Sequence, residues 1–277
     1  MTAEIPGWLG GTFAFLFGAS VGSFVNVVAY RLPRDISIVN PRSFCEHCNR
    51  QIPYWANIPI LAYIGLRGRC LMCGASIPFR HFMAELSLAV IALYLYLTFP
   101  FGDAVARFVL CTALFTISLI DYDWRLIPNM ITFPGIPIGV LAATFLMPEV
   151  GLKHSLIGVA VGWGFLFVTG ELYFWLRGRE GVGMGDVWLL GMVGAFLGWQ
   201  GAFFTLFAGA ILGAVGGILG AIFGGAPEPP VAEGAAETGE SEVSLLQTAV
   251  PFGPFLALAA GFFALFQPQL VRWYFGG

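Results

Sequence analysis

Long apolar runs, separated by short polar stretches, make up most of this chain; they fall at residues 8–30, 82–99, 104–120, 130–147, 156–176, 187–199, 202–223 and 251–266. A helical run of about 20 apolar residues crosses a hydrocarbon core of about 30 Å. The pattern therefore predicts an all-α polytopic membrane protein with about eight transmembrane helices. The sixth run is short and glycine-rich, and is expected to tilt or to take cover from its neighbours. Gly209, Gly213 and Gly217, four residues apart in the seventh, predict close helix packing. Two segments interrupt the pattern. Residues 31–81 form a polar, cysteine-bearing loop domain between the first membrane helix (1–30) and a membrane core (82–223), and an acidic linker (224–248) precedes the last membrane helix (249–277). Residues 224–243 are rich in Ala, Gly, Pro and Glu with no basic residue, so they are expected to stay disordered.

Composition agrees: 58% of residues are hydrophobic, 10% are charged and the mean hydropathy is +0.82, against roughly 25% charged residues in a soluble domain. A net charge of -3 gives no reason to expect nucleic acid as a partner. Residues 1–6 carry Glu4 and no basic residue, unlike the start of a secretory signal, so the first run is expected to remain as a membrane helix. The basic residues are sorted by side. Arg31, Arg34, Arg42, Arg50, Arg67, Arg69 and Arg80 lie in or beside the first loop, Arg125 follows the third run, and Arg177 and Arg179 follow the fifth. Arg107, Lys153 and Arg272 belong to the other side. The positive-inside rule then puts the first loop in the cytoplasm.

Cys45-Glu46-His47-Cys48 and Cys70-Leu71-Met72-Cys73 are two CxxC pairs separated by the 21 residues 49–69. Four thiolates on two tight turns make a closed tetrahedral site, a structural zinc arrangement with no position left for water. Bound metal would fold a loop that has little core of its own. A disulfide pair or free thiols are the alternatives, and a reducing cytoplasm disfavours the disulfides. His47, between the first two cysteines, is the weaker candidate, in place of one of them. Cys111 reads as a small core residue, and the absence of HExxH removes a zinc protease of that kind.

Carboxylates at membrane helix ends are costly and are read first as functional. Asp121 closes the third run, and Asp186 of Gly183-Met184-Gly185-Asp186 opens the sixth. Counted forward from the first loop, both emerge on its side of the membrane. Two carboxyls held close titrate as one unit, and one protonated and one ionised member sharing a water can hydrolyse a peptide bond, the ionised member acting as general base. Gly183 and Gly185 carry no Cβ, which lets an extended substrate approach and frees the turn into the helix. An N-cap role for Asp186 is compatible with this. Asp123 is the second choice for the pair, or else an interfacial charge or partner of Arg125. Glu85 is expected to pair with Arg80, and Glu171 to face a polar cavity between helices.

These residues together resemble the bacterial type IV prepilin peptidases, membrane aspartyl proteases with a GxGD motif. The resemblance spans most of the chain. Val21-Gly22-Ser23-Phe24-Val25-Asn26-Val27-Val28 with Arg31-Leu32-Pro33 is similar to the family's N-terminal signature, and the CxxC pairs bracket Asn57-Ile58-Pro59 as in its cytoplasmic loop. Asp121-Tyr122-Asp123 with Ile127-Pro128-Asn129, then Gly183-Met184-Gly185-Asp186, resemble its two aspartate motifs, and Pro251-Phe252-Gly253-Pro254 the entry to its last helix. The resemblance implies a multi-pass enzyme of the bacterial inner membrane, with Asp121 and Asp186 as the catalytic pair at the cytoplasmic face. It further implies cleavage of type IV prepilins or type II secretion pseudopilins after a Gly, followed by N-methylation with S-adenosylmethionine. One departure is Trp188, where the family commonly has Lys. No Gly-rich nucleoside turn places the methyl donor. A transporter or channel, with carboxylate ion sites and a regulatory zinc domain, is the competing class. Oligomeric state is not legible.

Overall fold

The structure is a computed structural model that describes residues 7–178, 181–223 and 251–275. The expected disordered linker and residues 1–6 lie outside the described residues. The helices are α1 (Gly7–Arg31), α2 (Leu61–Gly65), α3 (Phe79–Thr98), α4 (Phe101–Trp124), α5 (Asn129–Phe145), α6 (Gly151–Arg177), α7 (Met184–Phe223) and α8 (Gly253–Phe275). Short 3-10 turns at Leu32–Arg34 and Tyr54–Asn57 lie in the first loop.

Six of the described helices are long and apolar enough to cross a membrane, and α5, with 17 residues, is shorter. The α7 helix accounts for two of the eight apolar runs. It breaks at Gly198, whose φ of 71° and ψ of −177° only a residue without Cβ adopts readily. The sixth and seventh runs are thus two helices that meet at this kink, as the pattern of eight runs predicts.

Close backbone approach holds the bundle. Gly18 and Gly22 press α1 onto α3; a Cβ on Gly18 would lie 2.8 Å from Ala89 Cα, and one on Gly22 2.6 Å from Glu85 Cα. Gly158 and Gly162, a second four-residue spacing, press α6 onto the backbone of α7 at Gly194 and Leu190. The expected glycine packing in the seventh run is present as Gly209 against Leu256 of α8 and Gly213 against Phe252, just before it. Between these pairs, α4, α5, α7 and α8 bury Leu110, Ile117, Leu189, Phe196, Leu256 and Phe263.

One charged pair sits inside the bundle. Pro268 has no N–H, so the Ala264 carbonyl four residues earlier in α8 loses its helical partner. The Nη1 of Arg107 supplies that bond at 2.6 Å, while Nε bonds Asp103 Oδ1 at 2.7 Å and the guanidinium stands 4.3 Å from the Phe99 ring centre. Arg107, read from sequence as a topology marker, is fully buried.

The first loop is built from two similar turns. Cys45 N–H donates to Arg50 O and Asn49 N–H to Cys45 O; in the second turn Cys70 N–H donates to Ala75 O and Gly74 N–H to Cys70 O. Asn49 and Gly74 both take positive φ, and isolated bridges Phe44–Gln51 and Arg69–Ser76 close the turns. The loop is fastened to the bundle end. Arg31 donates to Ser37 O and Arg42 O, Arg34 lies 4.9 Å over the Trp124 ring, and Arg80 pairs with Asp123 at 2.7 Å.

Candidate functional site

Asp121 lies in the last turn of α4, which Arg125 ends in the left-handed conformation with its N–H on Asp121 O. Asp186 lies in the first turn of α7, its N–H donating to Gly183 O at 3.0 Å. The two carboxylates come to the same end of the bundle, close enough for their charges to act on each other. Asp121 is 5% exposed, and its Oδ2 accepts the Gly253 N–H at 3.0 Å. The Oδ1 of Asp186 is buried without a hydrogen-bond partner. A buried carboxylate oxygen lacking a donor costs free energy unless a proton, water or substrate group reaches it.

Three glycines make the arrangement possible, for reasons of space. A Cβ on Gly253 would lie 2.6 Å from Asp121 Oδ2, and one on Gly183 3.0 Å from Asp186 Oδ2. A Cβ on Gly185 would lie 2.7 Å from Ile127 Cβ, and Ile127 Cδ1 is also 3.3 Å from the position of a Gly253 Cβ. Buried Ile127 is therefore the apolar wedge common to the turns that carry the acids. Sequence reasoning quoted the Pro251–Pro254 segment but did not find the Gly253 N–H as a ligand of Asp121; only the three-dimensional approach of α8 supplies it.

Other expectations are corrected. Asp123 turns away and is held by both its oxygens on Arg80 Nη1, at 2.7 and 2.8 Å. That pairing leaves Glu85 without the expected Arg80 partner; its Oε2 instead accepts the Ile60 N–H at 2.7 Å. Glu171 is exposed on α6, not in an interhelical cavity. Trp188 packs edge-on to Phe133, with ring centres 4.6 Å apart, and at 5.8 Å to Trp163, in an aromatic cluster beside the Asp186 turn.

The cysteine turns converge. The Sγ atoms of Cys45, Cys48, Cys70 and Cys73 all lie within 4.8 Å of one another, with Cys45 and Cys73 at 3.9 Å, and none is in a disulfide. His47 is not part of the cluster. The backbone N–H groups of Cys73 and Met72 draw the Cys70 thiol down to about 7. Cys73 also has a backbone donor, Ala75, yet desolvation and the neighbouring sulfurs push it up to about 11. One sulfur ionises readily and another resists because a compact cluster of thiolates lacks a counter-charge. A divalent cation would supply it, and four sulfurs all within 4.8 Å of one another could hold a metal such as zinc in a tetrahedral site.

Residues 16–99 match the bacterial peptidase A24 N-terminal domain, and residues 108–218 match the type IV leader peptidase family. A prepilin leader peptidase/N-methyltransferase of Stutzerimonas stutzeri is 33% identical over 285 residues, covering 94% of this chain and 92% of that protein. Proteins of the same name from Pseudomonas aeruginosa and Aeromonas hydrophila are each 32% identical, covering 94% and 96% of this chain and 91% and 94% of their own lengths. No solved structure matches.

Proposed function

Because this chain belongs to the type IV leader peptidase family, we propose that it is an aspartic endopeptidase of the bacterial inner membrane. It cuts the leader from type IV prepilins or type II secretion pseudopilins after Gly and then N-methylates the new N-terminus. The observation that carries the peptidase reading is that Asp121 and Asp186, from helix ends far apart in sequence, lie beside turns that both pack on Ile127, with one oxygen of Asp186 buried and unpartnered. The relatives' names give no support to the transporter reading.

Hydrolysis needs one proton shared by the pair. The ionised member takes a proton from water as the water oxygen bonds to the carbonyl carbon, and the protonated member gives its proton to the carbonyl oxygen. One hydroxyl of the tetrahedral gem-diol then gives its proton to the ionised acid as the other acid protonates the amine nitrogen, the C–N bond breaks, and the pair is left with its single proton. Gly253 N–H fixes Asp121, and Gly183 and Gly185 keep side chains out of the path of an extended substrate. Placement at a helix end suits the substrate class. A prepilin presents an apolar helix within the bilayer and its leader outside it, so the bond to be cut lies at the interface.

The cytoplasmic assignment follows from charge. The basic first loop is fastened to the same bundle end as the acids through Arg34, 4.9 Å over the Trp124 ring, and loops bearing Lys and Arg stay inside. Residues 31–81 form the zinc-bearing unit, in which Cys45, Cys48, Cys70 and Cys73 would hold a structural ion that keeps the two turns together. S-adenosylmethionine supplies an electrophilic methyl group when bound. The test is to incubate the purified zinc-loaded protein with a prepilin and the methyl donor in detergent, and to read the product's N-terminus by mass spectrometry. The reading predicts loss of the leader after Gly and the mass of one added methyl. A prepilin returned intact would overturn it.

A further inference from the structure

The first loop carries an apolar surface that no described part of the chain covers. Tyr54, Trp55, Ile58, Leu61 and Ile64 are all exposed, Tyr54 at 77% and Leu61 at 64%. They belong to the Tyr54–Asn57 turn, to α2 and to the bend between them. Neighbouring residues turn inward: Ala56 is buried, and Tyr63 stacks on Phe82 of α3 with ring centres 5.1 Å apart. Both faces of the segment are therefore apolar, whereas a loop standing in water would turn a polar face outward. Exposed apolar patches of this kind mark surfaces that meet a partner or a membrane.

Depth says what covers it. The α3 helix has 20 residues, and at about 1.5 Å per residue all of it is needed to cross a hydrocarbon core of about 30 Å. Glu85 lies six residues, about 9 Å, inside the start of that helix. Yet the Ile60 N–H donates to Glu85 Oε2 at 2.7 Å, and Tyr63 reaches Phe82. The α2 helix therefore starts below the level at which α3 enters the bilayer, beside the bundle rather than above it. Exposed Phe79, its ring 6.3 Å from that of Tyr63, extends the apolar surface onto the spanning helix itself. The rim is basic. Arg42 stands 3.5 Å over the Tyr54 ring, and Arg67 and Arg69 follow α2, exposed and, among the described residues, without a carboxylate partner. Tyr and Trp with guanidinium groups beside them compose a membrane interface.

We propose that residues 54–64 are embedded in the leaflet at the loop's end of the bundle, with phospholipid as the occupant of their outer face. Ile58, Leu61 and Ile64 meet the upper acyl chains, Tyr54 and Trp55 the headgroup boundary, and Arg42, Arg67 and Arg69 the phosphates. An interfacial segment sinks about 5–10 Å into that boundary, which matches the depth of Glu85. The two cysteine turns, on either side of the segment in sequence, are thereby tied to the bilayer as well as to α1 and α3. A second protein could cover this face only from within the membrane.

The test uses the full-length, zinc-loaded protein in phospholipid vesicles, with the photoreactive residue p-benzoylphenylalanine placed at Leu61, at Ile64 or, as a reference on a spanning helix, at exposed Leu97. Irradiation should give phospholipid adducts at Leu61 and Ile64 in yields within about threefold of Leu97, read by mass spectrometry of the peptides. Fluorescence of the natural Trp55 gives an independent reading. The difference between wild type and Trp55→Phe should be quenched about twofold more by lipids brominated near the headgroup end of the chain than near its methyl end, and little by aqueous iodide. No lipid adduct at Leu61 and Ile64, adducts to a second copy of the chain, adducts only to an added prepilin, or a Trp55 signal quenched by iodide and by neither lipid would each overturn the proposal. A Leu97 reference that labels no lipid overturns the placement of α3 in the bilayer, and the proposal with it.

Discussion

Gly253→Ala is the smallest change that reaches the acid pair from outside it. The added Cβ would lie 2.6 Å from Asp121 Oδ2 and 3.1 Å from its Cγ, where ordinary contact begins near 3.4 Å. The same Cβ would meet Ile127 Cδ1 at 3.3 Å, so the methyl group cannot simply shift toward the wedge. Either the carboxylate turns off its 3.0 Å bond with the residue-253 N–H, or the start of α8 moves out by most of an ångström. A displacement of about 1 Å in a reacting group can cost about 10²-fold in rate. We expect kcat for prepilin cleavage to fall about 10- to 100-fold with KM changed much less, since the new Cβ meets only Asp121 and Ile127. The assay is steady-state cleavage in detergent, with zinc content and thermal unfolding as controls for folding. Gly261→Ala, on the same helix with nothing within 4 Å of the new Cβ, should behave as wild type. A folded Gly253→Ala enzyme within twofold of wild-type kcat would refute the claim that Asp121 is held in place by the approach of α8.

Four further outcomes follow from the geometry. Zinc binding must displace protons from the cysteine thiols, so affinity should fall as pH drops from about 8 to about 6, through the Cys70 value of about 7; competition with a chromophoric chelator reads this. Cys73→Ser should lower the zinc content, and metal-free protein should lose protease protection of residues 31–81. The Arg80–Asp123 pair is partly exposed, so Asp123→Asn should cost no more than about 1 kcal/mol in stability and leave cleavage within about tenfold of wild type. Arg107→Met leaves Asp103 and the Ala264 carbonyl unpaired in the bundle and should cost about 3–5 kcal/mol; the double change with Asp103→Asn should recover part of it, as read from detergent unfolding.

The sequence made the helices legible because membrane burial imposes a length and a composition on each run. It also showed which residue types carry the chemistry: Asp121, Asp186 and the four cysteines are polar groups whose position or spacing needs a reason. What it did not show depends on which helix faces meet. The partner of Asp123 is Arg80 because the start of α3 meets the end of α4, a contact invisible to spacing along either helix. For the same reason Glu85 was read as an ion-pair member and is a hydrogen-bond acceptor for Ile60. Gly158 and Gly162 have the same spacing as Gly209 and Gly213, but spacing alone does not say which backbone they meet. In the sequence Arg107 is a basic residue on the side opposite the first loop, and the clue to its burial is Pro268, whose lost N–H leaves a carbonyl for the guanidinium to satisfy.

The central claim is that Asp121 and Asp186 act together on one water at the membrane edge, and single-turnover cleavage of a prepilin by the Asp121→Asn and Asp186→Asn enzymes tests it most directly. With zinc content and folding unchanged, each variant should show no leader release over the time in which the wild type completes its turnover, and the double variant should be no worse than either. Complete cleavage by either single variant would contradict the account.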